Sequence, residues 1–152
     1  MTGDVLTVER VIAAPPEQIF DYLADASKHP IIDGSGTVKH AKPGAPDRLS
    51  LGASFGMSMK LGVPYSMVST VIEFEDNRRI AWQSKPPGFF GKLGGGRIWR
   101  YELEPVEGGT RVRESWDISQ DHQRRMLRRI ASKDTVKNME ATLARIEELT
   151  SK

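Results

Sequence analysis

Between Thr37 and Ile118 the chain reads as strand after strand, with turn residues and no helical stretch between them. Ser54–Leu61 alternates with period two: Phe55, Met57, Met59 and Leu61 fall on one face, Ser54, Gly56, Ser58 and Lys60 on the other. Thr37–Ala41 precedes it as a short strand, joined through Lys42-Pro-Gly-Ala-Pro46. Tyr65–Phe74 follows, with Val68, Thr70, Ile72 and Phe74 on one parity. Glu75-Asp-Asn-Arg78 turns into Arg79–Ser84, where Ile80 and Trp82 share a face. Arg97–Glu104 sets Trp99, Tyr101 and Leu103 together, and Gly108-Gly-Thr110 is a tight hairpin signal. Arg111–Ile118 then returns with Val112, Glu114, Trp116 and Ile118 on one side. Such a run folds as an antiparallel meander with one face that must be buried.

The cover for that face has to come from the two ends. Val5–Ile12 is a further strand, rich in β-branched residues. Pro16 suits the first turn of a short helix over Glu17–Ala24, which places Ile19, Phe20 and Leu23 on one side. Ser27–Gly34 reads as a second short helical turn or loop. The last thirty residues are expected to form one long helix, capped by Ser119 or Asp121. Its apolar stripe runs through Met126, Ile130, Met139, Leu143 and Ile146 and weakens around Lys133 and Val136. A single helix cannot fill the concavity of a curved sheet of about seven strands, so a cavity is expected between them. With 152 residues, no internal repeat and no linker, a single domain over 1–152 is expected.

This order of elements resembles the START-like (SRPBCC) superfamily, the helix-grip fold shared with the birch-pollen allergen type. The resemblance is carried by Val8-Glu-Arg-Val-Ile-Ala-Ala-Pro-Pro-Glu-Gln-Ile-Phe-Asp-Tyr-Leu-Ala-Asp25, Ile72-Glu-Phe-Glu-Asp-Asn-Arg-Arg-Ile-Ala-Trp82 and Tyr101-Glu-Leu-Glu-Pro-Val-Glu-Gly-Gly-Thr-Arg-Val112. Within that superfamily the chain looks most like bacterial polyketide cyclase/dehydrase and lipid-transport proteins. The resemblance implies an α+β fold of order β-α-α-β6-α, a curved antiparallel seven-stranded sheet wrapped around a long C-terminal helix. It also implies a small hydrophobic or amphipathic ligand of lipid, polyketide or aromatic type. It implies no shared catalytic motif.

Several chemistries are excluded by residue type alone. The chain has no Cys, and His29, His40 and His122 lie far apart, so no metal site and no cofactor are expected. Of the three, His40 is the histidine whose parity, shared with Val38, points inward. No Gly-x-Ser-x-Gly elbow occurs, and Gly94-Gly-Gly96 lacks the ending of a phosphate loop. With 22 Lys+Arg against 20 Asp+Glu, the chain lacks the basic excess of a nucleic-acid binder. Its apolar runs fall well short of the roughly 20 residues of a spanning helix, so no stable membrane insertion and a cytoplasmic location are expected.

The candidate chemistry is carbon-rich, with little acid–base capacity. Strand alternation points Glu114 inward beside Val112 and Trp116 as a polar anchor or general acid/base in the cavity; the alternatives are a salt bridge to an inward Arg on a neighbouring strand or a bulge that returns it to solvent. Tyr101 stands one strand away and is either its phenolic partner or a core aromatic. If the protein is an enzyme, Glu114 and Tyr101 are its catalytic candidates. Trp82, Trp99 and Trp116 supply flat apolar walls, and Phe55, Met57 and Met59 an adaptable stripe. Val68 and Thr70 are assigned to the same cavity from the next strand, and Met126 and Ile130 from the last helix.

Two features lie beside the cavity. Gly88, Gly91 and Gly94–Gly96 make either a mobile lip, with Phe89 and Phe90 as a gate, or a plain hairpin loop. Arg124, Arg125, Arg128 and Arg129 put like charges at i, i+4 in the first turns of a helix, which both pairing and dipole disfavour. They form either a site for an anionic partner or a solvated face offset by Asp117 and Asp121. Three functions compete on these residues. A binding module for an apolar ligand leads, followed by a cyclase, aromatase or dehydratase using Glu114 and Tyr101. The third, a protein-interaction domain, needs an exposed apolar patch and a small or filled cavity.

Overall fold

The computed structural model describes residues 3–151, so the outer ends of the expected 1–152 domain fall outside the described residues. The elements are β1 (Val5–Ile12), α1 (Pro16–Leu23), a 3₁₀ turn (Ala26–Lys28), α2 (His29–Ile32), β2 (Val38–Ala41), β3 (Ser54–Leu61), β4 (Val63–Glu75) and β5 (Arg79–Lys85). A second 3₁₀ turn (Gly88–Lys92), β6 (Arg97–Val106), β7 (Gly109–Asp117), α3 (Arg124–Ile130) and α4 (Ser132–Thr150) complete the chain. The strands make one antiparallel sheet in the order β1-β7-β6-β5-β4-β3-β2, the expected α+β helix-grip arrangement.

The meander follows from its turns. Asn77 takes a positive φ of 61° in the β4–β5 turn, a conformation asparagine tolerates better than most residues. β6 and β7 are joined across Glu107-Gly108, with Val106 paired to Gly109. Residues directly opposite on neighbouring strands share a face, so the ladder Trp82, Trp99, Trp116 and the ladder Ile80, Tyr101, Glu114, Val8 all point to the concave side. Leu103 and Val112 extend it, and Ile12, Ile19, Phe20 and Leu23 close the core at one end.

Two expectations change here. First, β4 carries a register shift between Val71 and Glu73. The extra residue reverses the alternation, so Phe74 packs against the core while Val68 and Thr70, of the same sequence parity, face outward. Thr70 Oγ1 lies 3.1 Å from Ser54 Oγ on that outer face. Second, the long C-terminal helix is broken at Ala131 into α3 and α4. Only Leu127 of α3 is buried, and its four arginines are all exposed. A turn with one apolar anchor and two like-charged pairs has little reason to continue the axis of α4.

α4 lies over the β1 end of the sheet through Met139, Leu143 and Ile146. Gly34, after α2, lets the loop come against α4. A Cβ there would stand 2.5 Å from the Thr142 nitrogen and 2.7 Å from the Asn138 carbonyl oxygen. The Gly34 N–H donates to Thr142 Oγ1 at 2.9 Å, which ties α2 to the helix above the cavity. Among the described residues, no helix is long and apolar enough to cross a membrane.

Candidate functional site

Because α3 and α4 cover only part of the concave face, a cavity of about 650 Å³ is left between sheet and helices. That is within the range of small-molecule sites. Its rim includes the exposed Leu61, Tyr65, Ile130 and Asp134, and its interior the buried Phe55, Trp82, Tyr101, Glu114, Trp116 and Met139.

The walls are aromatic and mutually packed. Trp82 and Tyr101 lie with ring centroids 5.6 Å apart, and Trp99 and Trp116 at 6.3 Å. Phe55 meets Trp82 edge-on at 5.8 Å. All three tryptophans of the chain therefore line one cavity. Polar groups in the wall are mostly satisfied: Ser69 and Ser84 pair across β4 and β5 at 2.8 Å. Asp33 accepts from the Ser35 hydroxyl and from the Val38 N–H at 3.1 Å.

Glu114 is the exception. It is only 2% exposed, and its Oε1 has no hydrogen-bond partner among the described residues. Burial pushes its carboxyl up to about 8, the Tyr101 hydroxyl opposite pulls it partly back, and the negative charge of Asp33 pushes it further up. At neutral pH the group is mainly a carboxylic acid, able to donate as well as accept. Burial and the neighbouring Glu114 also push the Tyr101 phenol well above its ordinary value.

His29 is buried in the same wall, stacked on Trp82 with centroids 4.7 Å apart and planes 21° off parallel. Its Nε2–H donates to the Leu23 carbonyl at 2.8 Å. Burial lowers its pKa against the raising effect of that bond and of Asp25 and Asp33, so the ring stays neutral. The expectation for an inward histidine was His40, which is exposed. β2 is four residues long with a register shift between Val38 and His40, which cancels the shared parity.

Of the expected site residues, Phe55, Met57, Met59, Trp82, Trp99, Tyr101, Glu114, Trp116 and Ile130 line the cavity. Val68 and Thr70 do not, because of the β4 bulge. Their neighbours Met67 and Ser69 stand opposite Met57 and Phe55 and take their place. Met126 is also outside, 49% exposed, with Leu127 pointing inward instead. Phe89 and Phe90 are exposed on the 3₁₀ turn and lie outside the cavity lining.

Most of the helix side of the cavity was missed for a physical reason. Beyond Ile130 it is formed by Leu127, Ala131, Asp134, Thr135, Asn138, Met139 and Thr142, of which four are polar. A search for apolar periodicity passes over such a stripe.

The arginines of α3 line no part of the cavity. Asp117 and Asp121, expected to offset them, turn to the sheet instead, pairing with Arg100 at 3.6 Å and Arg97 at 3.2 Å. Among the described residues, Asp4 pairs with the group, through Arg128 at 3.5 Å.

Comparison with known proteins agrees with this geometry. Residues 4–150 match the sequence model of the family described as polyketide cyclase / dehydrase and lipid transport. The uncharacterized protein Rv0088 of Mycobacterium tuberculosis is 34% identical over 129 residues, covering 76% of this chain and 53% of the relative. The chain thus spans about half the length of the curated relatives it matches. Protein CV1439 from Chromobacterium violaceum superposes with a TM-score of 0.70 at 15% identity, covering 98% of this chain and 99% of that one. The AHSA1-like protein from Aeromonas hydrophila gives a TM-score of 0.67 at 15% identity, over 95% and 90% of the two chains. At these identities the solved structures bear on the fold alone.

Proposed function

We propose that this chain, which belongs to the polyketide cyclase/dehydrase and lipid transport family, binds a small hydrophobic or amphipathic ligand of lipid, polyketide or aromatic type between its sheet and its C-terminal helices. The observation that carries this reading is the cavity of about 650 Å³, walled by three tryptophans and floored by a carboxyl group with one oxygen unpartnered among the described residues. Apolar walls supply the affinity and a few placed polar groups the orientation. An interaction domain would need a small or filled cavity, which this volume does not fit. Native mass spectrometry of the protein purified from its own host should reveal a co-purifying apolar molecule. Trp99→Ala should weaken uptake of a sterol probe several-fold; unchanged uptake would remove the assignment of this cavity.

A second reading, an enzyme of the cyclase, aromatase or dehydratase kind, is favoured by one specific observation. Glu114 and Tyr101 are direct cross-strand partners, both buried and both on the cavity side. A neutral carboxylic acid and a phenol side by side can donate to a substrate carbonyl while the walls hold a reactive chain folded. Incubation with a linear poly-β-ketone thioester tests this. Ring-closed, dehydrated product that disappears in both Glu114→Gln and Tyr101→Phe would favour the enzyme over the carrier.

A further inference from the structure

The cavity has an unusual charge inventory. Among the described residues that line it, Glu114, Asp33 and Asp134 are acids and Arg97 is the one cation. The Arg97 Nε–H donates at 3.2 Å to Asp121, an acid with no exposed surface, so its charge is already matched. The His29 ring is neutral, with its one N–H spent on the Leu23 carbonyl. The Tyr101 hydroxyl lies beside Glu114. From β1, the strand on the other side of Glu114, the facing residue is Val8, which carries no charge. A ligand carboxylate would therefore add its charge to those of Asp33 and Asp134 in a site whose described lining offers no free cation to meet it.

We propose that Glu114 makes this cavity selective for ligands whose polar group is an uncharged hydrogen-bond acceptor, such as a ketone, ester or lactone carbonyl, and excludes ligands ending in a free carboxylate. The inference rests on the binding reading above and names its ligand class. The unpartnered Oε1, buried at the cavity floor, is the donor such a carbonyl lacks in an apolar pocket. The raised carboxyl supports the same assignment, since the proton it needs for donation is retained at neutral pH. Long-chain free acids are thereby separated from their ketone and ester counterparts by a neutral donor set in a lining without a free cation, with the hydrophobic part of the ligand unchanged.

The three cavity tryptophans provide the readout, because every tryptophan in the chain lines the site. Quenching of their fluorescence should be titrated with 2-pentadecanone, methyl palmitate and sodium palmitate, below the micellar range and at about pH 6.5. The ketone and ester are expected to bind about tenfold tighter than palmitate. In Glu114→Gln, whose amide is a neutral donor at every pH, that preference should persist to within about twofold. In the wild type, raising the pH to about 9 should weaken ketone binding by about tenfold as Glu114 ionises. This second measurement needs no variant. Equal affinity for ketone and palmitate, ketone binding in the wild type that does not change up to about pH 9, or a fall with pH that persists in Glu114→Gln, would overturn the assignment while leaving the binding cavity intact. If the wild type binds none of the three, the apolar-ligand reading itself fails, and this inference with it.

Discussion

The two faces of the central strands handle carboxylates in opposite ways. On the convex face Glu73 takes a bidentate pair from Arg100, at 2.9 and 2.7 Å, and Arg79 reaches it at 3.6 Å. That pairing holds its carboxyl below the usual range. Arg113 with Glu9 and Arg79 with Glu102 continue the pattern across neighbouring strands. On the concave face Glu114 has burial and no cation, and its carboxyl is pushed up to about 8. One sheet thus carries a satisfied charged lattice on one side and a buried carboxyl with one unpartnered oxygen, among the described residues, on the other. A buried polar atom left without a partner costs stability.

That contrast can be tested from its largest consequence downward. Trp116 is 2% exposed beneath the cavity, and Trp116→Ala should cost about 3–5 kcal/mol in urea denaturation, as deletion of a buried aromatic does. A loss under about 1 kcal/mol would mean that the wall is not packed as described. Glu114 comes next. The unfolded glutamate ionises near its ordinary value and the folded one only near 8, so its contribution to stability falls as pH rises through that window. The slope should be roughly 1.4 kcal/mol per pH unit, and Glu114→Gln should flatten it. An identical slope in both proteins between about pH 5 and 8 would remove the buried acid from the account.

Glu73 should show the reverse sign. Its depressed pKa contributes stability above the ordinary carboxylate range, which is lost as pH falls through the folded value. Because the pair is partly solvated, Glu73→Gln should cost less than about 1 kcal/mol at neutral pH. Thermal melts that show a larger effect would make the convex lattice more than a solvated charge network. The smallest effect belongs to Val68. On the outward face of β4, Val68→Lys should change stability by no more than about 0.5 kcal/mol and leave probe uptake alone. Met67→Lys, one residue away, should abolish uptake. Equivalent effects at the two positions would put the strand parity back where alternation alone has it.

Much of this was legible from residue pattern because it rests on local periodicity. Trp82, Trp99, Tyr101, Glu114 and Trp116 lie on short strands between unambiguous turns, and their faces follow directly from alternation. Val68 and Thr70 were misplaced because a bulge adds one residue without changing composition, and one residue reverses every side chain beyond it. Met126 was misplaced because the helix breaks at Ala131, so spacing read along one continuous helix does not hold across α3, where Leu127 is the buried residue. His29 lies in a four-residue helix, too short to carry a period at all.

By itself the sequence determined the meander and set Glu114 on the parity of Val112 and Trp116, since each depends on turn residues and period-two patterning within a few residues. It also removed thiol chemistry, by containing no Cys. Tertiary structure alone decided that Glu114 Oε1 has no partner among the described residues, that Arg97 is matched by Asp121, and that His29 stacks on Trp82. Those facts join residues far apart in the chain, and the free energy of a buried charge depends on what the fold brings beside it rather than on its neighbours in sequence.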